Sequence, residues 1–223
     1  MSTREPVVLH REDPTREPLV GHVKVTREDW LNVAREILIN DGVDSVKILA
    51  IGDRLQVSRS SFYWYFKSRK QLLNALLDDW AGQNTASIIS KCELPAPSIA
   101  VALCNFFHCF IDPALFNHGL DFAVREWSRR DPSVRQRIDR ADRDRLDAVT
   151  KMFARHGYGA EAADVRARIL YFMQLGYHAL EVHEPMAERM KRLNGYIEGF
   201  TGVAPAPGEI EEYADLFLSY EQV

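Results

Sequence analysis

Apolar residues return at steps of three and four along most of this chain, and no stretch alternates apolar and polar side chains as a half-buried strand does. The first such pattern runs through Trp30, Val33, Ala34, Ile37 and Leu38, which share one face of a helix. Breaks rich in proline and glycine separate the later helical stretches. These stretches are 98–111, 115–130, 133–156, 160–184, 186–200 and a last one from about residue 210. The sequence therefore predicts an all-α fold.

The first helix has clear start and stop signals. Thr26 and Asp29 form a capping box at its beginning. The helix is predicted to end at Asn40–Gly42, with Gly42 as a left-handed cap. A short second helix is predicted over Lys47–Leu55, followed by a tight turn.

The third helix is predicted to begin after an N-cap at Ser58 and to end near Tyr65. Ser68 and Gln71 form a second capping box, which opens a long fourth helix. Two short helices joined by a tight turn are typical of a helix-turn-helix, in which the second helix enters the major groove of DNA.

The charge pattern of this segment fits such a role. From Arg54 to Lys70 the chain has five basic residues and no acidic one, although the net charge of the whole chain is −4. A local basic patch is what a phosphate-binding surface requires. Ser60 and Ser61 have short hydroxyl side chains suited to base edges, whereas tyrosines and cations suit phosphate oxygens. Phe62 and Phe66 lie four residues apart and are expected to pack inward.

The stretch VSRSSFYWYFKSRKQLLNALL, residues 57–77, resembles the DNA-binding domain of the tetracycline-repressor (TetR) family of bacterial transcriptional regulators. The resemblance covers about 26–80 and implies that Ser61, Tyr63 and Trp64 lie on the recognition helix. It also implies that Tyr65 and Arg69 contact phosphate. Trp64 has an alternative role in packing under the fourth helix. The predicted DNA-binding residues are Lys47, Ser58, Arg59, Ser60, Ser61, Tyr63, Trp64, Tyr65, Lys67, Arg69 and Lys70.

Several positions depart from the family pattern. Gly52 stands where the family usually has alanine, and Gln56 stands where it usually has glycine. Gln56 must therefore adopt a turn conformation that glycine prefers. Lys47 replaces a frequent serine or threonine cap and could hold phosphate by its charge. Leu49 replaces a residue that is often polar, so we assign it no DNA contact.

The predicted organisation has three parts: a flexible N-terminal arm at 1–24, the helix-turn-helix domain at 25–70, and an effector-binding and dimerisation domain at 71–223. The charged stretch 134–153 is expected to be a solvated helix held by pairs of opposite charge. The stretch 160–180 is apolar around much of its circumference, which predicts burial in the domain or between subunits. The resemblance implies a homodimer, and a two-fold dimer suits a palindromic operator.

Aromatic residues are frequent in the C-terminal part, with a few polar groups among them, as in many ligand pockets. Ordinary core packing is the alternative for each of them. The predicted ligand contacts are Phe107, His108, Phe110, Trp127, Tyr171, Gln174 and His178. We expect a small, fairly hydrophobic and partly aromatic effector, and neither a metal nor a cofactor. The resemblance implies that the effector releases a repressor from DNA, and promotion of DNA binding is the alternative.

Other classes of protein have little support in the sequence. No motif for a nucleophilic serine, a phosphate loop, a zinc hydrolase or a redox cysteine pair is present, so we expect no enzyme. No run approaches the length of a membrane span, and the charged, proline-rich beginning differs from a signal peptide, so we expect a cytoplasmic protein. The three cysteines are expected to be reduced and buried. The remaining alternative is a DNA-bound structural or protein-interaction module that has no small-molecule effector.

Overall fold

The computed structural model describes residues 8–9, 19–20 and 25–220, and helices account for nearly all of their regular structure. The predicted all-α fold is confirmed. The helices are α1 Arg27–Asp41, α2 Ile48–Leu55, α3 Arg59–Phe62, α4 Arg69–Trp80, α5 Ala86–Glu93, α6 Ile99–Ile111, α7 His118–Ser128, α8 Pro132–Arg155, α9 Ala160–Ala179, α10 Met186–Met190, α11 Leu193–Thr201 and α12 Glu211–Ser219. None of these helices is both long and apolar enough to cross a membrane.

Two short strands, β1 (Val8–Leu9) and β2 (Leu19–Val20), lie within the predicted N-terminal arm. They pair antiparallel, with Val8 opposite Val20 and Leu9 opposite Leu19. The rest of the arm lies outside the described residues, so its flexibility stays a prediction.

The capping box predicted from the sequence is present at the beginning of α1. The Asp29 backbone N–H donates to Thr26 Oγ1 at 3.3 Å, and the Thr26 backbone N–H donates to Asp29 Oδ2 at 2.7 Å. These bonds satisfy amide groups that the first helical turn leaves open. At the other end Gly42 has φ 77° and ψ 171°, so the predicted left-handed cap is wrong, although the positive φ still favours glycine.

The third helix is shorter than the sequence predicts. α3 ends at Phe62, and turns continue the chain through Tyr65. Ser58 stands at the N-cap position, but its side chain caps no amide. Its Oγ instead lies 2.7 Å from Ser60 Oγ. Serine hydroxyls commonly form local bonds of this kind in place of a cap.

The apolar core consists of two clusters. The first is built by α1–α4 together with one face of α7 and the beginning of α8. The second is built by α5, α6, the end of α8, α9, α11 and α12. Because α7 and α8 contribute to the first cluster, the helix-turn-helix rests directly on the C-terminal helices. A π-helical turn, Ala81–Thr85, joins α4 to α5 between the two clusters.

Candidate nucleic-acid interface and effector cavity

The turn between α2 and α3 determines how the recognition helix is presented. Gln56 has φ 55° and ψ 39°, a left-handed conformation, as the sequence comparison with the family pattern predicts. The Val57 N–H donates to the Gly52 carbonyl at 3.0 Å. A Cβ at Gly52 would lie 3.2 Å from the Val57 carbonyl oxygen. The tight turn therefore leaves little room for a side chain at position 52.

The inward face of α3 is aromatic. Phe62 is fully buried, and its ring centroid lies 5.2 Å from that of Trp30 in an edge-on contact. Phe66 stacks on Phe62 at 5.4 Å. These contacts fix α3 against α1, as the spacing of the two phenylalanines predicts.

The outward side of α3 and of the turn after it presents hydroxyls and aromatic rings to solvent. Tyr63 and Trp64, which the resemblance places on the recognition helix, lie in this turn because α3 ends at Phe62. Tyr63 is 48% exposed and Trp64 is 79% exposed, so the alternative packing role of Trp64 is wrong. Ser60 is exposed and Ser61 is half-buried. An Arg59 guanidinium nitrogen donates to the Tyr63 hydroxyl at 3.1 Å. This surface can both donate and accept hydrogen bonds, as base edges and phosphates require.

Exposed cations surround this face. Lys47, Arg59, Lys67 and Lys70 are exposed, and none forms an ion pair with any described residue. Arg54 differs, because it pairs with Asp41 at 3.2 Å. Four unpaired cations around one short helix create a positive potential suited to a phosphate backbone.

Two residues that the resemblance assigns to phosphate have other partners. The Tyr65 hydroxyl donates to the Val25 carbonyl at 2.7 Å. Arg69 donates from Nε to the Val46 carbonyl at 2.6 Å, and from a terminal nitrogen to the Val43 carbonyl at 2.5 Å. Both side chains thus hold the helix-turn-helix together, and their assignment to phosphate stays a prediction.

Behind the helix-turn-helix lies a buried polar network that the sequence did not reveal. Asp121 and Arg145 are both fully buried and are 3.0 Å apart. Asp121 also accepts from Trp80 Nε1 at 2.7 Å and from Arg125 Nε at 2.8 Å. The guanidinium of Arg145 also lies 5.2 Å from the Trp80 ring. The network therefore joins α4 to α7 and α8.

The same network continues into α9. Arg125 binds Asp142 through both terminal nitrogens, at 2.7 and 3.0 Å. The Tyr171 hydroxyl donates to Asp142 Oδ1 at 2.7 Å, and an Arg145 nitrogen donates to that hydroxyl at 3.3 Å. The expectation of a solvated helix at 134–153 is therefore wrong for Arg145, although Arg135 and Asp139 do form an exposed pair at 2.9 Å.

A small cavity of about 50 Å³ lies among α6, α9, α10, α11 and α12. Two of the predicted ligand contacts, Phe107 and Gln174, line it. The other lining residues are Ile111, Met173, Tyr177, Arg189, Met190, Leu193, Tyr196, Phe200 and Phe217. Sequence reasoning missed these because the later helices show where apolar faces are, but not which faces meet.

The other predicted ligand contacts lie elsewhere. His108 Nε2 is 2.8 Å from the Tyr220 hydroxyl, away from the cavity lining. Phe110 is a core residue whose ring centroid lies 4.7 Å from that of Phe116 in a tilted contact, and Tyr171 belongs to the buried polar network. Trp127 and His178 line a separate open groove of about 1080 Å³ between α1, α7 and the end of α9.

His178 connects the cavity wall to α7. Its Nε2 is 2.8 Å from the Nε2 of Gln174, and its ring stacks on His118 at 3.7 Å. Burial, with His118 and Arg189 nearby, lowers the pKa of His178 to about 3, so the ring is neutral near pH 7. Next to His118, the Gly119 backbone is so close to α1 that a Cβ there would lie 3.0 Å from Ile39.

The surface of α9 carries an exposed apolar stripe. Val165, Ile169, Phe172 and Met173 follow each other at steps of four, three and one, and all are at least 36% exposed. One face of the helix is buried in the domain, with Ala163, Ala167 and Leu170 in the core, and burial of the other face between subunits stays a prediction. A contiguous apolar face of this kind is typical of a protein interface.

The three cysteines, Cys92, Cys104 and Cys109, are free and buried, as the sequence predicts. Burial raises the pKa of each thiol, for Cys104 and Cys109 to about 12. The thiols are therefore protonated near neutral pH. Among the described residues, no group of three or more histidine, cysteine or acidic side chains could hold a metal ion.

The fold and the exposed face of α3 define a helix-turn-helix DNA-binding protein. Residues 31–76 match the family model of the bacterial regulatory proteins of the tetR family. The transposon Tn10 TetC protein of Escherichia coli is 25% identical, over 79% of this chain and 91% of that protein. These findings show that residues 31–76 are similar to the N-terminal domain of the bacterial regulatory proteins of the tetR family.

Solved structures share the fold. Salmonella enterica GusR superposes with a TM-score of 0.58 at 18% identity, covering 79% of this chain and 95% of that chain. A TetR-family transcriptional regulator from Marinobacter aquaeolei gives a TM-score of 0.60 at 14% identity, covering 88% and 99%. The similarity to both structures extends well beyond the helix-turn-helix, into the C-terminal helices.

Proposed function

We propose that this protein is a cytoplasmic repressor without enzymatic activity, which binds a palindromic operator as a homodimer. The observation that carries the proposal is the outward side of α3 and of the turn after it, where Ser60, Tyr63 and Trp64 are exposed and the neighbouring cations Arg59, Lys67 and Lys70 are exposed and unpaired within the described part of the chain. The side chains on this face can reach base edges, and the surrounding cations can reach phosphates on either side. Because α3 reads few base pairs, two copies are needed for specificity.

The apolar stripe on α9 supports the homodimer. Exposed Ile169 and Phe172 would be buried if two copies of α9 packed across a two-fold axis, so that the same surface is used on both subunits. We expect Ile169→Glu to convert a dimer into a monomer in sedimentation equilibrium, because a charge would be buried without a partner. Leu94→Glu, at another exposed apolar position, is the matched control and leaves the dimer intact.

Regulation by a small hydrophobic effector is supported by the cavity between α6, α9 and α11. The space of this cavity is about 50 Å³, whereas sites for drug-sized ligands measure roughly 300–1,000 Å³. Binding therefore requires the cavity to open, and Met173 and Met190 in its wall are adaptable side chains. A ligand that binds only the open state shifts the population toward that state.

A physical route leads from this cavity to the DNA-binding domain. Gln174 in the cavity wall contacts His178, His178 stacks on His118, and the neighbouring Gly119 packs tightly against Ile39 of α1. A displacement of Gln174 would thus reach α1 through a chain of close contacts. In the proposed mechanism, this movement takes the two recognition helices out of register with successive major grooves and releases DNA.

The test is binding of the purified protein to the DNA upstream of its own gene, across a salt series. Tight binding that weakens as salt rises is expected for the wild type. Arg59→Ala with Lys67→Ala should reduce the slope of log affinity against log salt by about 2, about 1 for each lost phosphate contact. Lys151→Ala, an exposed lysine on α8 far along the chain, is the control and should keep the wild-type slope. Equal slopes for all three proteins would contradict the proposed interface.

A DNA-bound interaction module without an effector is the second candidate, because the described cavity is small. It predicts that no small molecule releases the protein from its DNA. Screening for release on the DNA that the wild type binds separates the two functions.

A further inference from the structure

The segment 184–192, which covers the cavity, has one more cation than it has acids. Its acids are Glu184 and Glu188, and its cations are Arg189, Lys191 and Arg192. Lys191 pairs with Glu188 at 2.6 Å, and Arg192 pairs with Glu184 at 2.5 Å. Both acids are thus engaged by other residues, and Arg189 forms no ion pair with any described residue.

Arg189 lies at the cavity and not in open solvent. It is half-buried, and its guanidinium carbon is 5.0 Å from the centroid of the Tyr177 ring. Both residues line the cavity, and no acidic side chain is among the described lining residues. The positive charge of Arg189 is also one of the causes that lower the pKa of both His118 and His178, so it raises the potential on this side of the domain.

A half-buried guanidinium has five N–H donors, and those turned toward the cavity need acceptors there. The face of the Tyr177 ring stabilises the positive charge of Arg189. The ring accepts no conventional hydrogen bond from the five N–H groups of Arg189. A carboxylate is the partner whose geometry best matches a guanidinium, because its two oxygens accept two parallel N–H bonds. Removing part of the cation from water costs free energy that such a partner would offset.

The rest of the cavity is suited to an aromatic ring. Phe107, Phe200 and Phe217 form apolar walls, and Gln174, which is only 4% exposed, is the single amide side chain among the described lining residues. An aromatic ligand with an acid group would bury its ring against the phenylalanines and keep its charge at Arg189. We propose that the effector is a small aromatic carboxylate whose acid group pairs with Arg189. This inference rests on the proposed function, since it concerns the same cavity.

The experiment compares acids with neutral molecules of the same shape. Phenylacetate and 3-phenylpropionate are titrated into the full-length protein by calorimetry, beside phenylacetamide and 3-phenylpropionamide. The acids are expected to bind at least about tenfold more tightly than their amides, as hydrogen bonds to charged groups imply. Arg189→Gln should abolish this preference, and Arg189→Lys, which keeps the charge but not the planar fork, should retain part of it.

The matched control removes a neighbouring ion pair from the same segment. The double variant Glu188→Gln, Lys191→Gln keeps the net charge and Arg189, so it should show the wild-type preference for acids. Circular dichroism checks that each variant is folded. The proposal is overturned if the amides bind as tightly as the acids, if Arg189→Gln keeps the preference, or if neither acid binds.

Failure of this inference is distinguishable from failure of the proposed function. Operator binding is measured without ligand, across the salt series described above, and does not depend on Arg189. If operator binding holds and neither acid binds, only the ligand class is wrong. If the protein binds the acids but binds no DNA, the proposed ligand class stands and the proposed repressor function fails.

Discussion

The buried carboxylate of Asp121 offers a sharp test of how α4 is joined to the C-terminal helices. Its Oδ1 accepts from Trp80 and Arg145 at 2.7 and 3.0 Å, and its Oδ2 accepts from Arg125 at 2.8 Å. Asp121→Asn keeps the size of the side chain but removes its charge. The change leaves Arg145 fully buried without its ion-pair partner.

The expected loss of stability is large because the remaining cation stays buried. Removing one partner of a buried ion pair typically costs about 3–5 kcal/mol. For a chain of this size each kcal/mol corresponds to roughly 2–4 °C in the melting temperature, so the variant should melt roughly 6–20 °C lower. The Tyr171 hydroxyl and Thr85 remain as neutral partners of Arg145, which favours the lower part of this range.

The measurement is urea unfolding followed by circular dichroism, at one fixed protein concentration because dimerisation would alter the apparent stability. Asp139→Asn is the matched control, since it removes an exposed carboxylate from the pair with Arg135. The control should lose less than about 1 kcal/mol. A loss below about 1 kcal/mol for Asp121→Asn as well would refute the reasoning that the pair is buried and coupled.

The pH dependence provides a second readout of the same carboxylate. Burial raises the pKa of Asp121, but the guanidiniums of Arg145 and Arg125 outweigh burial and lower it to about 2. The group therefore contributes stability that is complete above its unfolded pKa near 4, and this contribution is lost as pH falls toward 2. Linkage puts the contribution at about 2 kcal/mol. Between pH 4 and pH 2 the wild type should lose this stability, and Asp121→Asn should not.

Three further predictions concern other parts of the molecule. The ring signals of His178 in proton–carbon NMR should stay at neutral-imidazole positions from pH 8 to pH 5, because its pKa is lowered to about 3; a midpoint above pH 5 would contradict the buried stack with His118. Gln56→Val should lower the free energy of unfolding by about 1–2 kcal/mol, because a β-branched residue is strained at φ 55°; unchanged urea stability would count against the left-handed turn. Arg69→Ala should weaken DNA binding and also destabilise the helix-turn-helix, since its guanidinium holds two backbone carbonyls; loss of DNA binding with unchanged thermal stability would instead favour a direct phosphate contact.

Local signals made much of the DNA-binding domain predictable. The capping box of Thr26 and the inward pair Phe62 and Phe66 each depend on residues close together in the chain. The left-handed turn at Gln56 was predicted from the resemblance to the family pattern. Helix caps and apolar periodicity are decided over a few residues, so a sequence alone displays them. The end of α3 was less predictable, because turns replace the helix after Phe62 and the sequence has no clear break before Phe66.

The cavity was only partly predictable. Phe107 and Gln174 line it as the sequence suggests, but Arg189 and Phe217 come from helices far along the chain. Tyr171 is an aromatic residue of the kind that lines ligand pockets, but its hydroxyl donates a hydrogen bond to Asp142. An aromatic side chain in a helical core fits a pocket and a packed interior equally well until the neighbouring helix is known.

The sequence by itself determined the all-α class, the helix-turn-helix and the basic surface around α3, because periodicity, caps and local charge need no knowledge of distant residues. Only the tertiary structure decided which charges are buried. Arg145 stands in a helix rich in arginine and aspartate and looks like its solvated neighbours in sequence. It is fully buried because α4, α7 and α9 bring Trp80, Asp121 and Tyr171 around it. A buried charge requires partners from several helices, and no pattern within one helix can specify them.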